Sequence, residues 1–290
     1  MPAKKKAPAK PKQATKNNGH STHSAPHVHT TTGTTMSNAS ITRQEVTALA
    51  PADLKKYRDG IRKMQAISDN RGFNTIAGYH GVPGHFCYHH KSLFLPWHRA
   101  YLYHFEQYLR DRVAGTGIPW WNWTSHSAHS KGIPAAFATA KDDEGNANPL
   151  LKFHANVPNS KPPLVGDTDR APQDPSGLPT DADVKDALSR TDFLDFSMAV
   201  ENIHDNVHGW TGGWMGLIPT AAFDPIFFSH HCMIDRIWYL WQIQNGQNNI
   251  PSSMLDKVLN PFNMKVSDVL DISHLGYQYA VTQISGHGGS

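Results

Sequence analysis

Nineteen histidines in 290 residues, most of them gathered in two stretches, constrain this chain more than any other feature. One stretch holds His80, His85, His89, His90, His98 and His104; the other holds His204, His208, His230 and His231. Both run through strongly apolar sequence. A buried imidazole has to satisfy its ring nitrogens, either by hydrogen bonds or by ligating a metal on one nitrogen and bonding through the other.

His204 and His208 are four residues apart, so on a helix both project from one face and can share an ion. Alone, the pair is weak, because surface and packing histidines show the same spacing. Asp205 and Asn206 do not reproduce the Glu that follows the first His in zinc hydrolases. In the segment from Phe227 to Trp238, His231 lines up with Ile234, Asp235 and Trp238, and His230 with Ile234, Ile237 and Trp241. Spacing therefore leaves open which ring is a ligand, and a core histidine bonded to a backbone carbonyl is the plainer alternative. His89 and His98 are nine apart, half a turn out of phase on one continuous helix. They converge only if Pro96 marks a break, with His98 in the first helical turn and His89 on the loop before it. Two clusters, each with three imidazoles and no carboxylate at ligand spacing, favour copper or zinc over di-iron.

The chain between and around these clusters reads as helical. Leu54, Tyr57, Ile61, Met64 and Ile67 mark an amphipathic helix beginning at Pro51. After a Gly- and His-rich loop, a second helix runs from Pro96 to about Val113, with Trp97, Tyr101, Leu102, Phe105, Tyr108 and Leu109 on its apolar side. From 125 to about 191, prolines such as Pro158, Pro162, Pro163, Pro172, Pro175 and Pro179 predict a long irregular excursion. Two more helices are expected near 193 to 209 and 224 to 244. The expected fold is mainly α: a four-helix bundle whose core holds the metal site, with long irregular loops.

Charge is unevenly placed. Up to Arg43 the chain carries six Lys, one Arg and no carboxylate, so its net +3 hides a negative remainder. Residues 1 to 40 have almost no large apolar side chains and are expected to be a disordered basic tail, its His20, His23, His27 and His29 included; 41 to 290 are expected to form the folded domain. With its cations in the tail, the folded part is not expected to bind nucleic acid. Two cysteines, Cys87 and Cys232, exclude a disulfide framework. No run of about eighteen apolar residues is present to span a membrane, and no apolar segment follows the basic N-terminus. A cytoplasmic protein without membrane partners is the resulting expectation.

Several segments together resemble the tyrosinase and catechol oxidase family of type 3 dicopper proteins, related in site design to the hemocyanins, over about residues 50 to 280. They are Cys87-x-His89, Phe94-Leu95-Pro96-Trp97-His98-Arg99, Pro119-Trp120-Trp121-Asn122-Trp123, His204-x-x-x-His208 with Gly212-Gly213-x-Met215, and Asp224-Pro225-Ile226-Phe227 leading to His230-His231-x-x-x-Asp235-Arg236. The resemblance implies two copper ions with dioxygen as co-substrate, the first copper on His80, His89 and His98 and the second on His204, His208 and His231. His80 is preferred over His85 because His80-Gly81-x-Pro83 matches the family segment.

The same resemblance implies oxidation of o-diphenols, and of monophenols, to o-quinones. Glu201 and Asp205 are the candidate proton-handling residues, with Asp205 where Asn is usual. Cys87 is the candidate for a thioether to His89; Gly209, Met215 and Ile218 are expected to line an open substrate pocket. Tyr277-Gln278-Tyr279 resembles the motif that ends the catalytic domain, so a short, lid-less form active without proteolysis is expected. Small phenols are the expected partners, with room for a copper-delivery protein. The alternatives are o-aminophenol oxidation, a hemocyanin-like oxygen carrier, and, on ligand type alone, a zinc hydrolase.

Overall fold

The computed structural model describes residues 40–280; the basic tail read from the sequence lies outside them except for Ser40. In chain order the first half contains β1 (Ile41–Arg43), α1 (Pro51–Gln65), α2 (Phe73–His80), α3 (Phe94–Arg112), α4 (His126–Lys131), α5 (Ala135–Ala138), β2 (His154–Val157) and β3 (Leu164–Asp167). The second contains α6 (Asp181–Leu188), α7 (Phe193–Thr211), α8 (Ile226–Asn245), β4 (Val258–Leu259), β5 (Met264–Lys265) and β6 (Tyr277–Tyr279). The strands form three two-stranded pieces: β1 with β6 in parallel, β2 with β3 and β4 with β5 antiparallel.

The four long helices, α1, α3, α7 and α8, are those the apolar spacing predicts. The helix carrying His98 begins at Phe94 rather than Pro96. Proline is tolerated there because the N–H groups of a first helical turn have no intrahelical acceptor. Helix α2, ending at His80, is additional and occupies what the sequence presents as a Gly- and His-rich loop. The excursion between α3 and α7 is largely irregular, as expected, but holds the β2–β3 pair and the short helices α4, α5 and α6, the last opened by a capping box between Thr180 and Asp183.

Helix α8 is the central element. From Ile226 to Trp238 every residue is buried, because α8 packs on α3 and α7 at once. Phe228 stacks on Phe105 of α3, with 13° between the rings, and Trp241 stacks on Phe196 of α7 at 4.8 Å. The apolar burial of each such side chain stabilises the fold by about 1.5–3 kcal/mol. Asp192 caps α7 by accepting the N–H groups of Leu194 and Asp195. Among the described residues, no helix is long and apolar enough to cross a membrane.

The ends of the folded region are tied to α8 through Asp235. Its carboxylate accepts from the hydroxyls of Tyr277 at 2.7 Å and Tyr279 at 2.6 Å, from Arg43 at 3.1 Å and from Arg99. Arg43 also forks onto Glu106 with two 3.1 Å bonds and lies 3.5 Å over the Tyr277 ring. Burial alone would raise the Asp235 carboxyl, but the Arg99 and Arg43 guanidiniums and the Tyr279 hydroxyl hold it below the usual carboxylate range. Removing one member strands buried charge. Asp235→Ala is therefore expected to lower the unfolding free energy by about 3–5 kcal/mol, measured by urea denaturation at neutral pH. A loss below about 1 kcal/mol would show that the network is dispensable.

Candidate metal centre

His204 and His208, one turn apart on α7, aim their Nε2 atoms at the Nε2 of His231 on α8, at 3.2 and 3.3 Å. His80, at the end of α2, places its Nε2 3.2 Å from the Nε2 of His89 on the following loop. His98 sits one turn into α3, its ring 5.5 Å from that of His80 and 5.4 Å from that of His89. The two triads adjoin: His98 and His231 stack at 4.5 Å and 19°. Ligand atoms of His80, His98 and His231 lie within 4.8 Å of one another.

Hydrogen bonding decides which nitrogen four of the six rings present; Nδ1 of His89 and of His231 has no hydrogen-bond partner among the described residues. The Nδ1 of His80 bonds the Ile218 carbonyl at 3.2 Å, that of His98 the Phe94 carbonyl at 2.8 Å, and that of His208 the Met215 carbonyl at 2.7 Å. A carbonyl only accepts, so Nδ1 carries the proton and Nε2 is left with a bare lone pair. The Nδ1 of His204 is held likewise by Asp205 Oδ1 at 3.0 Å. Ring nitrogens that converge to about 3 Å either share a proton or enclose a cation, and an outer hydrogen bond such as four of these rings make is the usual arrangement behind a metal-ligating imidazole. The donor set fits copper: all imidazole, with one carboxylate, Asp205, and one thiol, Cys87, within ligand reach.

Burial holds His80, His98, His204 and His231 well below the ordinary histidine range, and brings His89 and His208 down to about 4. The rings are thus neutral and ready for metal. Glu201, almost fully buried, accepts the His90 N–H at 2.6 Å and lies 3.7 Å from Nδ1 of His89; burial raises its carboxyl. Burial also raises the half-exposed Asp205.

Of the other residues singled out in the sequence, His85 is exposed, at φ 51°, whereas His80 is fully buried in the cluster. Cys87 is half-buried with its thiol near His80 and His89, and burial pushes it up to about 11. Cys232 lies in the core against the Ile118 carbonyl. Gly209 and Ile218 are exposed beside the cluster. Met215 differs from expectation: its side chain is wholly buried, so it cannot face a substrate, and it contributes its carbonyl to His208 instead. The orienting carbonyls of Ile218, Phe94 and Met215 leave no mark in a sequence, because every residue type carries one.

The arrangement is that of a dinuclear copper protein of type 3. Residues 70–244 match the common central domain of tyrosinase, and the chain belongs to that family, which implies two copper ions. Among its relatives, "Hemocyanin G-type, units Oda to Odg" of Enteroctopus dofleini is 31% identical over 82% of this chain, and "Hemocyanin, beta-C chain unit G" of Helix pomatia 28% over 82%. The match covers 9% of the Enteroctopus protein and 65% of the Helix one; the chain spans only a small part of the first of these. A functional unit of octopus hemocyanin superposes with TM-score 0.73 at 30% identity, covering 86% of this chain and 69% of that one. The tyrosinase of Burkholderia thailandensis superposes with TM-score 0.72 over 86% of this chain and 76% of its own, and at 23% identity shares the fold.

The depressed histidines set a pH dependence for the metal-free protein. Their folded values lie below the unfolded value near 6.5, so protons bind preferentially to the unfolded chain in between. Stability should be full above pH 6.5 and fall as pH drops toward about 4, read as the urea midpoint of copper-free protein. A midpoint unchanged between pH 7 and 5 would contradict this.

Proposed function

We propose that the chain is a dicopper oxidase that uses dioxygen to convert o-diphenols, and monophenols more slowly, to o-quinones. His80, His89 and His98 would hold the first copper, and His204, His208 and His231 the second. The observation that carries the reading is an approach to the cluster that is open among the described residues. Ile218, whose carbonyl orients His80, is 47% exposed, and a Cβ at Gly209, next to His208, would meet no atom within 4 Å. A small aromatic ring has room there.

Bound in an all-imidazole pocket, a copper pair supplies the dioxygen and electron-transfer chemistry. The side chains do the rest. Glu201 is buried beside His89, and its raised carboxyl suits a group that takes the phenol proton and returns it. With His90, Lys91, Leu194 and Met198 it borders a cavity of about 300 Å³ through which protons and water can reach it. Asp205 keeps His204 in the Nδ1–H tautomer and places a carboxylate where the family usually has an amide. The half-buried Cys87 is placed to form a thioether with the His89 ring, a loss of two hydrogens that copper and dioxygen can accept.

The names of the relatives favour a second reading, a hemocyanin-like oxygen carrier. Oxygen uptake by copper-loaded protein separates the two. Consumption is expected with catechol and, more slowly, with tyramine, and none with His208→Ala. Catechol turnover alone would limit the chain to o-diphenols, and reversible oxygen binding without turnover would make it a carrier. The thioether is expected in the intact mass of copper- and oxygen-treated protein as a loss of two hydrogens, absent from Cys87→Ala.

A further inference from the structure

Helix α8 carries two adjacent histidines, and the reading above uses one. His230 is fully buried, like His231, yet neither of its ring nitrogens makes a well-formed hydrogen bond. Buried polar groups are almost always paired, so such a ring requires a reason. Two groups near it are the His204 main chain and the indole of Trp123, whose N–H is also unpaired and whose ring is 6.4 Å away. Either would engage one nitrogen and leave the other bare.

The packing of His230 points to the metal centre. Its ring stacks on His204 at 5.2 Å and 20°, and meets His208 edge-on at 4.8 Å and His231 at 5.1 Å. One ligand atom from each of His204, His208, His230 and His231 lies within 4.8 Å of the others. Nothing comparable stands at the first cluster, where His85 and His90 are exposed. Consecutive residues on a helix diverge by about 100°. His231 faces His98 and the first triad, whereas His230 packs on the α7 histidines.

We propose that His230 is a fourth imidazole of the second copper site, which takes the ion together with His204 and His208 as it is loaded and retains it when His231 is disengaged. The inference rests on the reading of the histidines as copper ligands. An ion held on the His230 side sits on the α7 flank of the cluster, so it can be accepted before both triads are filled, when mutual repulsion between two cations would be greatest.

The test is Cu(I) titration of the full, metal-free chain against a colorimetric Cu(I) chelator, with folding checked by circular dichroism. The wild type is expected to hold two equivalents. His231→Asn should keep the second equivalent with weakened affinity, and the double variant with His230→Phe should lose it. His230→Phe alone, which preserves the ring stack and removes both nitrogens, should weaken the second equivalent about tenfold and leave the first unchanged. If His231→Asn loses the second copper as completely as the double variant, or His230→Phe binds like wild type, the proposal is wrong. Should His231→Asn fail to fold, His230→Phe decides alone. Fewer than two equivalents in the wild type would overturn the dicopper reading itself, and this inference with it.

Discussion

Neutral imidazoles crowded into one buried volume, with lone pairs turned toward each other, are the constraint on which the rest of the structure depends. Four of them are held by the outer nitrogen, from separate places: the carbonyl of Phe94 within α3, the carbonyls of Ile218 and Met215 on the turn after α7, and the Asp205 carboxylate within α7. Helix geometry brings His204 and His208 to one face without help. The remaining rings reach the same volume only because α2, α3 and α8 converge on α7.

Such a cluster opposes folding when it is empty, since neutral rings are taken from water and their nitrogens left bare. The surrounding frame has to be stiff enough to impose it. Stacked rings of Phe105 with Phe228 and of Phe196 with Trp241 lock α8 to α3 and α7, and the Asp235 network clamps β1 and β6 onto α8. Asp235 lies four residues beyond His231, so the two project from the same side of α8 one turn apart. The helix that presents the ligand is thereby fixed by the charge cluster one turn along it.

A fold and its ligand set do not by themselves fix function, which depends on the groups around the site. Here the turn carrying Leu217 and Ile218 is exposed, and Gly209 leaves open space beside His208. Glu201 is shielded from solvent yet borders a cavity.

Much of this was legible in the residues. The i, i+4 spacing of His204 and His208, the proline before His98, the apolar periodicity of four helices and the near-absence of carboxylates among the clustered histidines follow from local geometry and donor chemistry, which sequence encodes directly. Helix α2 was not legible, because its Gly- and Asn-containing sequence has little helical preference, and contacts with α1 and the turn before α8 hold it in place. Periodicity alone also left His230 and His231 unresolved; only the packing of α7 and α3 against α8 shows His231 between the triads and His230 stacked on His204. The role of Met215 was misread for the same reason: its side chain turns inward, and its backbone carbonyl does the orienting. Sequence determined which atoms were available to a metal; the tertiary structure decided which of them meet, because convergence of nitrogens from four helices and a loop is a property of packing and of main-chain acceptors that no residue name records.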